Sequence, residues 1–175
     1  MDSSEFFDFL STRSSVRIFS ESPVSDDEIQ FIIRCASKAP SAGNRESWDV
    51  VIITDENLKE DLCDAAYNQE HLKKAPVILA VCANYIRSMS QYGERGILYA
   101  VEDATIAATY MMLAAHTLNL QTCWTGAFDD ETVSEILGLL QHARPVALLA
   151  VGHGTLPEYR TERMPVSEHI HEETW

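Results

Sequence analysis

Apolar side chains recur along the chain at spacings that predict amphipathic helices. Phe6, Phe9 and Leu10 share one face of the first predicted helix, which runs from about residue 4 to residue 12. Ser25 and Glu28 have the spacing of a capping box, in which each side chain accepts a backbone N–H at a helix start. The predicted helices span 4–12, the segment between Ser25 and Pro40, 57–66, 129–140, and most of 93–118.

Runs of β-branched and other apolar residues between these helices predict short strands. The predicted strands span 48–54, 76–83, 122–127 and 145–151. The runs at 76–83 and 145–151 contain almost no polar residue, which is typical of buried strands. Helices with a few short strands between them predict an α+β fold with a small central sheet, and 175 residues fit one domain, 1–175.

Two features predict that the chain packs against a second copy of itself. The helix within 93–118 is rich in alanine and apolar nearly all round, so it should be buried, and its small side chains would allow two copies to approach closely. The tail from Gly152 to Trp175 has little periodicity, yet it carries Ile170 and Trp175, which need a cover. We expect the tail to pack on a partner subunit.

Composition excludes several function classes. Asp plus Glu number 27 against 13 Lys plus Arg, a net charge of −14, which argues against binding to nucleic acid or to an anionic membrane surface. The first ten residues are acidic and lack the basic stretch of a signal peptide. Four widely spaced cysteines predict reduced thiols in a cytoplasmic protein. No metal site is expected, because His169 and His171 have no third ligand at a suitable spacing.

Positive charge is concentrated in two short segments near the ends of the chain. Arg13, Ser14, Ser15 and Arg17 lie within five residues, and Arg160 and Arg163 lie in the tail. Arginine presents a planar fork of donors that suits phosphate oxygens, and serine adds a hydroxyl donor. For each segment taken alone, a solvated loop with surface arginines is the simpler interpretation.

Two further segments have the composition of ligand-binding turns. The first runs from Pro40 to Trp48 and contains small residues that let backbone approach a planar ligand, together with Asn44, which both donates and accepts. The second begins with Gly126 and Ala127, directly after a predicted strand, where backbone N–H groups are exposed. Taken alone, the first segment is better explained as an ordinary loop between a helix and a strand, and a tight turn explains the second equally well.

The order of the four segments resembles the nitroreductase family. That family has an Arg-Arg-Ser-[Ile/Val]-Arg motif, then Pro-Ser-x-x-Asn-x-Gln-Pro-Trp, a Gly-x-Phe-Asp turn, and a late arginine before a proline. This chain has Thr12–Phe19, Ala39–Trp48, Gly126–Asp129 and Arg163–Pro165 in the same order. It departs from the pattern at Ser14, where a second basic residue is usual, and at Glu46-Ser47, where Gln-Pro is usual.

The resemblance implies a role for each matching residue. Arg13, Ser15 and Arg163 would hold the phosphate and ribityl chain of FMN, with Arg160 compensating for Ser14. Arg17 would lie at the pyrimidine edge of the flavin and act electrostatically in catalysis. The residues implied to bind the cofactor are Arg13, Ser14, Ser15, Arg17, Pro40, Ser41, Ala42, Gly43, Asn44, Gly126, Ala127, Arg160 and Arg163.

The implied protein is an intertwined homodimer with a mixed or antiparallel central sheet. The stretch from Pro40 to Gly43 would reach the flavin from the other subunit, and Gly126 and Ala127 would face N5 and O4 of the ring. The implied activity is ping-pong transfer of electrons from NADH or NADPH through FMN to a nitroaromatic or quinone. The alternatives are a reductive dehalogenase or a flavin-fragmenting enzyme on the same fold, and a flavin-binding regulator without turnover.

Overall fold

A computed structural model describes residues 1–159 and 161–175 of the chain. The helices are α1 (Ser3–Thr12), α2 (Asp26–Ala36), α3 (Glu56–Ala65), α4 (His71–Lys74), α5 (Tyr85–Tyr92), α6 (Arg95–Thr117) and α7 (Asp130–Ile136). The strands are β1 (Ile18–Phe19), β2 (Trp48–Ile53), β3 (Val77–Asn84), β4 (Gln121–Thr125), β5 (Ala143–Gly152) and β6 (Gly154–Thr155). Short 3₁₀ turns lie at Ala42–Asn44 and Val166–His169.

The central sheet has four strands in the order β2-β3-β5-β4, and every neighbouring pair is antiparallel. β3 and β5 take the middle positions because their nearly continuous apolar runs can be buried on both faces. β2 and β4 form the two edges. The predicted α+β architecture with a small central sheet is therefore confirmed, and the sheet is antiparallel rather than mixed.

Helices cover both faces of the sheet, and alternate residues of β3 divide between two apolar clusters. Val77, Leu79 and Val81 pack with α2 and α6, and Ile78 and Ala80 pack with α3 and α7 on the opposite face. Each fully buried aliphatic side chain of this kind stabilises the fold by about 1.5–3 kcal/mol. The two clusters fix the positions of the strand ends, where the candidate site lies.

Helix α6 is the long apolar helix predicted from the sequence. By length and composition it could cross a membrane, but it packs on the sheet and on α2, and a buried carboxylate, Asp103, lies in its middle. Its alanines Ala100, Ala104, Ala107 and Ala108 are fully buried against these neighbours. These contacts identify α6 as the core helix of a globular protein.

The start of α2 was predicted correctly from local sequence signals, and the end of α7 was predicted wrongly. Both hydrogen bonds of the capping box between Ser25 and Glu28 are present at the start of α2. The predicted helix 129–140 ends already at Ile136, because Gly138 adopts a left-handed φ of 60° that terminates it. Leu140, predicted to lie on the buried face, is therefore 65% exposed.

A two-stranded ribbon that was not predicted joins the two ends of the described core. β1 pairs with β6, and Ile18 lies opposite Thr155. Gly154 is required here, since a Cβ on it would lie 2.5 Å from the carbonyl oxygen of Ile18. The tail therefore leaves the core beside the segment that contains Arg13 and Arg17, and its described residues from 156 onward are exposed.

Candidate functional site

The segment from Arg13 to Arg17 lies along the edge strand β4. The backbone N–H of Val16 donates to the carbonyl oxygen of Thr122 at 2.9 Å, and Ser15 forms a parallel bridge with Thr122. Successive side chains of an extended segment point to opposite sides, and here Ser14 and Val16 are buried. Arg13, Ser15 and Arg17 consequently share the outer side.

The two arginines of this segment lie along β4. Because Ser15 bridges Thr122 in parallel register, Arg17 lies toward the end of the strand and Arg13 toward its start. Burial raises the pKa of the Cys123 thiol in β4, and the charges of Arg17 and Arg13 oppose part of that rise. Among the described residues, Arg13 and Arg17 form no ion pair, whereas Arg87 and Arg144 are each paired with an aspartate. Both guanidinium groups are thus available to an anionic ligand.

Strand β4 ends in a turn with available backbone donors. Gly126 and Ala127 follow Thr125 directly and are exposed. In the part of the chain that the structure describes, neither N–H donates to a protein acceptor. The carbonyl oxygen of Ala127 accepts a bond of 2.9 Å from the side-chain amide of Gln69, which holds the turn in place.

A buried histidine contacts the last residue of the same strand. His71 Nε2 lies 2.8 Å from the Thr125 hydroxyl oxygen. Burial lowers the pKa of His71 below its ordinary value of 6.5, and the charge of Arg17 lowers it further. The imidazole is therefore neutral at pH 7.

The segment from Pro40 to Ser47 forms a tight loop before β2. Gly43, Asn44 and Glu46 all have left-handed backbone conformations, with φ of 55°, 56° and 47°. Glycine suits the φ of 55° at position 43, and a Cβ there would require the ends of the Tyr92 and Gln91 side chains to move. Pro40, Gly43 and Asn44 are exposed.

Two charged side chains hydrogen-bond to the backbone of this loop. Asp103 of α6 accepts the N–H of Ala42 at 2.9 Å and the N–H of Ser47 at 3.1 Å. Arg87 of α5 donates to the carbonyl oxygens of Glu46 at 2.9 Å and Trp48 at 2.8 Å, and it is paired with Asp49. These contacts fix the backbone while leaving the outer side of the loop open.

The loop and the β4 turn lie at the same end of the sheet but on opposite edges. β2 begins at Trp48, opposite Ala83 of β3, which in turn pairs with Arg144 near the start of β5. β4 ends at Thr125, opposite Leu148 in the middle of β5. β2 and β4 are separated by β3 and β5, so three strand spacings put the two edges about 14 Å apart. Within one chain, the loop and the β4 turn are therefore not neighbours.

A model of the nitroreductase family matches residues 10–69 and 63–153. The chain belongs to the nitroreductase family. An NADH dehydrogenase of Thermus thermophilus is 30% identical over 88% of this chain and 89% of its own length. An FMN reductase [NAD(P)H] of Bacillus subtilis is 27% identical over 95% of this chain and 72% of its own. The solved structure of NfrA2 from B. megaterium has a TM-score of 0.91 at 27% identity, over all of this chain and 76% of that one.

In this nitroreductase-family chain, the predicted site residues fall into three groups. Arg13, Ser15 and Arg17 lie along β4 on one side of their segment, with Arg17 nearest the β4 turn, and Ser14 is buried on the other side. The predicted loop residues lie on the opposite edge of the sheet and are Pro40, Ser41, Ala42, Gly43 and Asn44. Arg163 lies in the exposed tail, and Arg160 lies outside the described residues.

Sequence reasoning missed the residues that hold these groups in place. Gln69 and His71 belong to a short polar stretch before β3, and Asp103 follows Glu102 in the middle of an otherwise apolar helix. Acidic residues in such a helix are a signal, because a carboxylate that is buried needs hydrogen-bond donors. The identity of those donors is visible only in three dimensions.

Proposed function

We propose that this chain is an FMN-dependent oxidoreductase that takes electrons from NADH or NADPH and passes them to an electron-poor small molecule, such as a nitroaromatic or a quinone. It works in the cytoplasm as a homodimer whose flavin sites lie between the subunits. Bound FMN would supply the redox chemistry, accepting hydride from the nicotinamide and delivering electrons to the acceptor in a separate, ping-pong step. The chain's residues bind and orient this group.

The observation that carries the proposal is the row of donors beside β4. Arg13, Ser15 and Arg17 share one side of their segment and lead toward the free N–H groups of the turn at Gly126 and Ala127. Guanidinium and hydroxyl donors suit a phosphate, and free N–H groups suit the electron-rich edge of a flavin. The donor set therefore fits FMN.

Each residue of this row has a distinct task. Arg13 and Ser15 would hold the phosphate and ribityl chain, together with Arg163 and Arg160 from the tail. Arg17 would lie at the pyrimidine edge, where its charge stabilises negative charge on the ring. His71 stays neutral at pH 7 because of its burial, so it adds no competing positive charge behind Arg17.

Several features support the homodimer. The loop at Pro40–Asn44 and the β4 turn follow opposite edges of the sheet, whose strands are about 14 Å apart, and this separation favours a second chain as the source of the loop at each flavin. Helix α1 buries no residue, and Phe6 and Phe7 on it are exposed. Such apolar surface, together with Ile170 and Trp175 of the tail, is typical of a face covered by another subunit.

The proposal is tested first on the purified protein. We expect flavin absorption bands, release of FMN on denaturation, a mass of two chains by light scattering, and NAD(P)H oxidation when a nitroaromatic or quinone is added. A protein that binds no added FMN would overturn the proposal. Loss of the flavin during turnover would indicate a flavin-fragmenting enzyme, and release of halide from a halogenated aromatic would indicate a dehalogenase. Bound FMN without NAD(P)H oxidation would indicate a flavin-binding protein without turnover.

A further inference from the structure

We infer that the carboxylate of Asp103 and the backbone N–H of Ser47 form a hydrogen-bonded lock that positions the flavin-facing loop. Ser47 stands where the family motif has a proline. The inference rests on the proposed function, because it concerns how the loop Pro40–Asn44 meets FMN. Asp103 does not touch the cofactor site itself. It is a positioning residue that acts through the backbone of the loop.

The geometry uses both carboxylate oxygens of Asp103. Oδ1 accepts the N–H of Ala42 at 2.9 Å, and Oδ2 accepts the N–H of Ser47 at 3.1 Å. Asp103 is only 2% exposed, and Ser47 is fully buried. One rigid side chain on the core helix α6 therefore ties down both ends of the turn that contains Gly43 and Asn44.

Serine at position 47 makes this lock possible. Proline has no backbone N–H, so a chain with the usual Gln-Pro pair could offer Asp103 only the N–H of Ala42. Proline also pushes the residue before it toward extended backbone, whereas Glu46 adopts a left-handed φ of 47°. The change to Glu46-Ser47 thus supplies a second donor and permits the observed backbone at position 46.

The hydroxyl of Ser47 is not part of the lock, which provides a matched control. Its Oγ is buried and has no hydrogen-bond partner among the described residues. Ser47→Ala keeps the backbone N–H and removes only this unpartnered hydroxyl. Ser47→Pro removes the N–H itself.

The experiment measures FMN binding in the full-length protein by flavin fluorescence and the flavin environment by visible circular dichroism. Asp103→Asn leaves one carbonyl oxygen for two N–H donors, so we expect the FMN dissociation constant to rise about tenfold, with a changed visible spectrum. Ser47→Pro should change both readouts in the same direction, and Ser47→Ala should leave both as in the wild type. Leu62→Ala, in the core on the opposite face of the sheet, controls for lost stability alone.

Several outcomes would overturn the lock. One is an Asp103→Asn protein that melts earlier, as Leu62→Ala does, but keeps wild-type FMN affinity and spectrum. Another is that Ser47→Pro and Ser47→Ala have the same FMN dissociation constant and the same visible circular dichroism. This comparison refutes the lock even if the Asp103→Asn protein does not fold. If the wild type binds no FMN, the proposed function fails separately. Hydrogen exchange of the Ala42 and Ser47 amides then tests the lock directly, and rapid exchange of both would refute it.

Discussion

Replacing Arg13 with alanine is expected to weaken FMN binding through the phosphate and to leave riboflavin binding unchanged. Arg13 is half-buried beside β4, and no described residue pairs with its charge. A hydrogen bond to a charged group contributes about 1.5–3 kcal/mol, and about 1.4 kcal/mol corresponds to a tenfold change in dissociation constant. Because Arg13 is partly solvated, we expect the lower end of this range, a rise of about tenfold in the FMN dissociation constant.

The assay compares two ligands that differ only in the phosphate. Fluorescence titrations of the wild type and Arg13→Ala with FMN and with riboflavin give four dissociation constants. Arg34→Ala removes the same charge from the exposed last turn of α2 and controls for the loss of bulk positive charge. Equal weakening of both ligands by Arg13→Ala, or an equal effect of Arg34→Ala, would refute the phosphate role.

Three further predictions follow from the same site. Arg17→Ala should lower the midpoint potential of bound FMN, since a cation beside the ring favours negative charge on it, and an unchanged potential would remove this role. The pKa of His71 is lowered in the folded state, so its contribution to stability is present above pH 6.5 and is lost as the pH falls below that value. The melting temperature should therefore fall less between pH 7.5 and pH 5.5 for His71→Gln than for the wild type. Parallel curves for the two proteins would contradict this. Dilution should dissociate the dimer and release FMN together, as measured by light scattering and flavin fluorescence, and a folded monomer that keeps FMN would argue against the shared site.

Elements with strong local signals could be predicted from the sequence. The capping box at Ser25 and Glu28 marks the start of α2, and the apolar run of β3 and the alanine-rich α6 are recognisable by composition alone. These signals depend on residues that are close in sequence, so no tertiary information was needed. The end of α7 at Gly138 was missed because the apolar pattern continues past the residue that stops the helix.

Elements held mainly by tertiary contacts could not be predicted. Helix α5 has an exposed outer side, and its start is fixed by a backbone bond from Tyr85 to the distant His142. It also packs closely on α6, where a Cβ on Gly96 would lie 2.5 Å from the backbone nitrogen of Met89. The ribbon of β1 and β6 joins residues far apart in sequence, with no local pattern to indicate the pairing.

The candidate site divides in the same way. The motif segments containing Arg17 and Gly126 could be found because their order along the chain carries information. His71, which contacts the end of β4, and Asp103, which holds the loop at Pro40–Asn44, have distant partners and no motif of their own. A buried polar residue in an apolar segment indicates that a partner exists, but only the fold identifies that partner.

The charge of the site depends on pairing rather than on composition. A chain with a net charge of −14 repels a phosphate-bearing ligand at long range, so binding has to rely on short contacts. The Debye length is about 8 Å at physiological ionic strength, which screens the distant acids but not a contact at hydrogen-bond distance. Arg87 and Arg144 are neutralised by neighbouring aspartates, whereas Arg13 and Arg17 have no acidic partner among the described residues. The unpaired arginines therefore create a local positive field in an acidic protein, and this field directs an anionic cofactor to the edge of the sheet along β4.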